Sequence, residues 1–185
     1  MTKIPVEINH HTQVKTLLNT FFAKKPLCGI EIGTNSGVLT KSILERCVIK
    51  FLWTIDPYHH VPGAGFEAGN PMEYHNAQKK EALRHIGNHP GKCELLEMTS
   101  DQAHERLSSL AHFEKSPFDF VWIDGHHTEE QVRRDINNYI DLVREGGILG
   151  GHDYRLVPDV TKVIHETFKP AQINLGGDYT WWIYV

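Results

Sequence analysis

Cysteine is scarce in this chain: Cys28, Cys47 and Cys93 are the only three, odd in number, far apart and without a CxxC spacing. That pattern excludes a disulfide framework and a cysteine zinc site, and a reducing, cytoplasmic setting is expected. Positive charge is not in excess either, since 19 Lys and Arg stand against 23 Asp and Glu, a formal net charge of -4. The basic residues are scattered rather than striped, so nucleic acid is not an expected partner. No apolar run approaches bilayer-spanning length, and Met1 to His11 is polar where a signal peptide would be apolar, so no membrane partner is expected. Internal repeats, low-complexity segments, the GxGxxG dinucleotide fingerprint and a phosphate loop with its Lys-Ser/Thr pair are all missing. What is present is 185 residues, 40% of them hydrophobic, enough for one core and too few for two domains of usual size. The expectation is a single domain over residues 1–185, and a homodimer is compatible with it.

Hydrophobic periodicity divides the chain into alternating elements. An N-terminal segment, residues 1–26, carries a helix from about residue 12 to 24 through Val14, Leu17, Leu18, Phe21 and Phe22, stopped by Pro26. Strands are predicted at Leu27 to Ile32, Phe51 to Ile55, Cys93 to Met98, Phe118 to Ile123 and Ile148 to Gly151, with helices between them. The helix after Met98 is predicted to be capped by Ser100 or Asp101 and to carry Ala103, Leu107, Leu110 and Ala111. Thr128-Glu129-Glu130-Gln131 has capping-box spacing for the next helix, and Gly146-Gly147 stands where its C-cap belongs. A helix starting at Pro158 precedes two strand-like pieces, Gln172 to Leu175 and Thr180 to Val185, around Gly176-Gly177-Asp178. The stretch 57–71, rich in glycine and proline and holding His59 and His60, is read as a lid loop.

Strands alternating with helices imply an α/β, doubly wound, mostly parallel sheet covered on both faces. The tight turn before the last strand makes that strand antiparallel to its predecessor. Its Trp182 and Tyr184 face one side while Trp181, Ile183 and Val185 face the other, which places it inside the sheet rather than at an edge.

In such a sheet the ligand crevice lies beyond the carboxyl ends of the strands. Those ends carry Glu31 to Gly37, Asp56, Thr99-Ser100-Asp101, Asp124 with His126 and His127, and His152-Asp153. The glycine turn from Gly33 to Gly37 opens a helix and exposes N–H donors. Glu31 suits an ammonium or sulfonium rather than a pyrophosphate. Asp56, 19 residues after Gly37, is placed to accept hydrogen bonds from ribose hydroxyls.

These features, Glu31-x-Gly33-x-x-x-Gly37, Asp56, Ser100-Asp101 and the run FDFVWIDGHH ending at His127, resemble class I S-adenosylmethionine-dependent methyltransferases in kind and order. The stretch from Asp119 to Tyr154, with its IDGHH and EGGILGGHDY, is similar to the small O-methyltransferases related to the catechol and macrocin types. The resemblance implies a Rossmann-like sheet of seven strands in the order 3-2-1-4-5-7-6. It also implies that Glu31, Gly33 and Gly37 hold the methionine end of S-adenosylmethionine, Asp56 the ribose, and Ser100 and Asp101 the adenine edge. Residues from Asp124 to Asp153 would then border a small-molecule acceptor. Two positions depart from the metal-dependent pattern: Tyr154 stands where an amide or acid usually completes a metal site, and His127 where that group often has a lysine base.

The resulting expectation is a methyltransferase acting on the hydroxyl of a small molecule. Its candidate machinery is Asp124 and His127, with His127 as base, or a divalent ion on Asp124 and Asp153 helped by His152. Imidazole ligands would shift the metal preference from magnesium toward manganese, iron or zinc. The alternatives are a nicotinamide-dependent oxidoreductase, disfavoured by the missing fingerprint, and a non-catalytic S-adenosylmethionine-binding module.

Overall fold

The computed structural model describes residues 4–59, 70–114 and 118–185. Among the described residues, seven strands form one sheet: β1 (Leu27–Ile32), β2 (Ile49–Ile55), β3 (Cys93–Leu96), β4 (Phe118–Ile123), β5 (Val143–Gly151), β6 (Asn174–Leu175) and β7 (Trp181–Tyr184). The helices are α1 (His10–Phe21), α2 (Val38–Arg46), α3 (Met72–Gly87), α4 (Ser100–Glu114), α5 (Glu129–Ile140) and α6 (Pro158–Thr167). The strand order is β3-β2-β1-β4-β5-β7-β6, with β1 to β5 paired in parallel and β7 antiparallel to both neighbours. The order and the interior, reversed last strand are those expected from the sequence. None of the described helices is long and apolar enough to cross a membrane.

Strand alternation sorts the apolar side chains into two cores, one on each face. Val121, Ile123, Trp181 and Ile183 pack with Leu107 of α4, Ile136 of α5 and Val163 of α6, while Phe120, Trp122 and Trp182 pack with Leu17 of α1 and Ile43 of α2. Burying each such side chain is worth about 1.5–3 kcal/mol, so both faces need their helices. Gly29 leaves room for the ring of Phe120, which a Cβ would meet at 2.1 Å.

Three local expectations are corrected. Helix α1 begins at His10, with the side chain of Asn9 accepting from Thr12 N as the cap, and ends at Phe21. Helix α4 is capped by Thr99, whose Oγ1 accepts from Gln102 N while Gln102 Oε1 accepts from Thr99 N. Ser100 and Asp101 thereby fall inside the first turn. Gly146-Gly147 does not cap α5, which ends at Ile140, but lies within β5. There Gly146 takes φ 70°, and a Cβ on Gly147 would lie 2.8 Å from Asp119 O, so the glycines serve an irregular pairing with β4. Of the expected lid, residues 57–71, only 57–59 and 70–71 belong to the described residues.

Candidate active site

The ends of β1, β2 and β4 are stitched together by their own backbones. Gly33 N and Thr34 N donate to Ile55 O, and Asp124 N donates to Ile32 O. Gly33 has φ +90°, and a Cβ there would lie 2.0 Å from Asp124 O, so only glycine lets the two strand ends close up. Beyond them opens a cavity of about 480 Å³, whose walls include Gly33, Asp56, Ser100, Asp101, Asp124 and His127. Sequence reasoning placed those six, and Asn35 within the turn from Gly33 to Gly37, but missed His75, Gln131 and Arg134, which also line it.

Asp56 is fixed by the turn it follows. Its Oδ2 accepts from Asn35 N at 2.8 Å and its Oδ1 from Tyr58 N at 2.9 Å. Burial raises its pKa above the ordinary carboxylate value, and the two amides oppose that rise. Asn35 and Tyr58 both hold left-handed backbones, φ 46° and 49°, and Tyr58 OH donates to Asn35 O at 2.6 Å. Ser100 and Asp101 are held from α5. Tyr139 OH donates to Ser100 O at 2.7 Å, Gln131 Nε2 to Ser100 Oγ at 3.0 Å, and Arg134 Nε lies 3.5 Å from Asp101 Oδ2.

Glu31 and Gly37 stand back from the cavity wall. Glu31 is fully buried; its Oε2 accepts from Thr40 Oγ1 at 2.5 Å and Thr54 Oγ1 at 3.0 Å, while its buried Oε1 has no hydrogen-bond partner. Thr54 also bonds Thr34, so the carboxyl braces the glycine turn from behind. Burial pushes Glu31 up to about 8 against the two threonine bonds, with Asp124 and Asp56 adding to the rise. Gly37, at φ +74°, starts α2 against Ala82 of α3.

On the far side of Asp124 lies a second constellation. His127 Nε2 is 2.6 Å from Asp153 Oδ2 and 3.8 Å from Asp124 Oδ1, and His152 Nδ1 is 3.3 Å from Asp153 Oδ1 and 3.7 Å from Asp124 Oδ1. Burial opposes charge on both rings, yet the carboxylates of Asp124 and Asp153 raise His127 to about 9 and His152 to about 10. Burial likewise opposes the charge of Asp153, but His127 and His152 hold its carboxyl below the usual range. One ligand atom from each of Asp124, His152 and Asp153 lies within 4.8 Å of the others, a spacing a cation can bridge. Tyr154 does not join them, because its OH is 2.9 Å from His165 Nε2 on α6.

The sequence reading missed His10 and Asp178 here. Asp178 Oδ2 accepts from His10 N at 2.8 Å, and His10 Nε2 is 3.8 Å from Asp124 Oδ2. The adjacent pair His10-His11 before an amphipathic helix was the available signal, but its destination depends on how α1 docks. Asp124 and His127 border the cavity as well as this cluster, so the two regions share a wall.

A sequence model of the family described as "Methyltransferase domain" matches residues 30–154. Solved structures share the fold at low identity. The calicheamicin methyltransferase CalS11 superposes with a TM-score of 0.66 at 12% identity, over 95% of this chain and 79% of that one. The O-methyltransferase NovP gives 0.62 at 16%, over 95% and 78%. Spermidine synthase from Thermotoga maritima gives 0.58 at 13%, over 96% and 58%, so the fold is shared with a protein not named as a methyltransferase.

Proposed function

We propose, as the chain belongs to the methyltransferase-domain family, that it binds S-adenosylmethionine in the cavity at the ends of β1, β2 and β4 and methylates the hydroxyl oxygen of a small molecule. The observation that carries this reading is the shared wall: Asp124 and His127 border both the cavity and the His/Asp cluster, so a donor in one meets an acceptor at the other. The cavity, about 480 Å³, is of the size that encloses a small cofactor. Asp56 already accepts two amide bonds and keeps lone pairs for hydroxyl donors, and Ser100 and Asp101 line the same cavity. NovP and CalS11 are themselves named as methyltransferases, which supports the reaction class.

When bound, the cofactor supplies an electrophilic methyl group. The chain's part is to hold the acceptor oxygen in line with it and to remove the oxygen's proton. His127 is placed for that removal, with Asp153 fixing its ring at 2.6 Å; the two carboxylates hold it protonated up to about 9, so it takes the proton only through its neutral fraction, which grows as pH rises toward that value. Asp124, Asp153 and His152 also fit a divalent cation, which would lower the pKa of an acceptor hydroxyl. The expected acceptor is a soluble small molecule.

Calorimetric titration with S-adenosylhomocysteine and with NAD, followed by transfer of labelled methyl to phenols, sugars and amines, tests the proposal. Binding of NAD without binding of S-adenosylhomocysteine would overturn it. Transfer to amines alone would move the reaction to nitrogen.

A further inference from the structure

Two side chains outside the family-matched stretch converge on the acceptor side. His10 opens α1, and Asp178 sits in the turn between β6 and β7. Asp178 Oδ2 lies 3.3 Å from His10 Nδ1, and the opposite ring nitrogen of His10 faces Asp124. The ring of His152 lies 4.2 Å from that of His10, and its Nε2 is buried without a hydrogen-bond partner, while Nδ1 faces Asp124 and Asp153. One ligand atom from each of His10, His152 and Asp178 falls within 4.8 Å of the others. Ligand atoms about 2.1 Å from a tetrahedral ion sit about 3.4 Å apart. The His10–Asp178 pair is at that spacing already, and a His152 ring nitrogen lies within 4.8 Å of both.

We propose that His10, His152 and Asp178 ligate a transition-metal ion of the zinc class beside Asp124, and that this ion fastens α1 over the acceptor side. Two imidazoles to one carboxylate make a nitrogen-rich set, which suits zinc, iron, nickel or cobalt, whereas magnesium demands oxygen ligands and retains its water. This site is an alternative to a cation on Asp124, Asp153 and His152, since the two compete for His152, and it holds whether or not a methyl group is transferred. It also makes residues far outside the matched family segment part of the site.

The test uses the full chain stripped of metal by a chelator. Calorimetric titration with Zn²⁺ and Mg²⁺, and the visible absorption of added Co²⁺, read binding without any methyl transfer. One Zn²⁺ per chain is expected, with Mg²⁺ at least a hundredfold weaker, and Zn²⁺ should raise the thermal midpoint of the native chain. Asp178→Asn keeps an acceptor for His10 N while removing the charged ligand, and His10→Asn removes the imidazole. Each should weaken Zn²⁺ at least tenfold and reduce the thermal shift, in a variant that still unfolds cooperatively. If one variant fails to fold, the other decides. Absence of Zn²⁺ and Co²⁺ binding to the native chain, equal affinity for Mg²⁺ and Zn²⁺, or a folded variant that binds Zn²⁺ as tightly as the native chain would overturn the proposal. Failure of the methyltransferase reading would show separately, as absent S-adenosylhomocysteine binding with the zinc titration intact.

Discussion

Replacing Glu31 by Gln should change how stability depends on pH. Glu31 is entirely buried, its two hydrogen bonds both fall on Oε2, and its carboxyl is pushed up to about 8 from 4.5. The folded state therefore keeps a proton that the unfolded state releases as pH rises through that window. Stability contributed by the protonated carboxyl is fully present below the unfolded value and is lost as pH climbs toward the folded one. At about 1.4 kcal/mol for each pH unit, the native chain should lose roughly 3 to 4 kcal/mol from this group between pH 5 and pH 8. Glutamine does not titrate and can still accept from Thr40 and Thr54 through its carbonyl. The variant should then match the native chain near pH 5 and exceed it by those roughly 3 to 4 kcal/mol at pH 8. Urea unfolding of both proteins at pH 5, 6, 7 and 8 measures the difference directly. Parallel curves, with a constant offset at all four values, would refute a neutral buried Glu31.

Other perturbations address the cavity and its supports. Asp56→Ala removes the acceptor beside the glycine turn and should weaken S-adenosylhomocysteine about tenfold or more by calorimetry; unchanged affinity in a folded variant would remove Asp56 from the cofactor site. Gly33→Ala drives a Cβ to 2.0 Å from Asp124 O at φ +90°, and should cost more than about 3 kcal/mol in denaturant unfolding; a loss under 1 kcal/mol would mean that the strand ends part easily. Thr99→Ala removes the cap of α4 and should lower stability by about 1 kcal/mol, measurable as a shift in the urea midpoint with unchanged slope.

The sheet was legible because its information is local. Each apolar strand ends in a polar residue on the same side, and Trp181 to Tyr184 alternate in a way that only an interior strand satisfies, as their division between the two cores shows. The cavity wall was legible for the same reason, since Gly33, Asp56 and Asp124 follow strand ends directly and Ser100, Asp101 and His127 lie within five residues of one. Residues arriving from helix faces were not. Gln131 and Arg134 reach the wall only through the packing of α5 against α4, a contact with no sequence signature. The cap of α4 was misplaced by one residue because Thr99, Ser100 and Asp101 are all good caps, and only backbone position separates them.

The cluster around His10, Asp153 and Asp178 shows why the remainder could not be read. Gln13 is fully buried in α1, where an apolar residue would be the default; its Oε1 accepts from Glu7 N at 2.8 Å and Gly177 N at 3.0 Å, and its Nε2 donates to Pro5 O at 3.0 Å. That one side chain fastens the N-terminal segment to the β6–β7 turn, and so brings His10 against Asp178 across most of the chain's length. In the same region Asp153, Asp178 and Tyr179 hold left-handed backbones, φ 63°, 51° and 58°, a conformation costly outside glycine and retained only where surrounding contacts enforce it. Tyr154 N donating to Tyr179 O at 3.0 Å is one such contact, linking the end of β5 to that turn. Strain and docking therefore converge on the residues that carry the cluster's charge. The parts of the site hidden from the sequence are those that long-range packing, rather than local pattern, had to assemble.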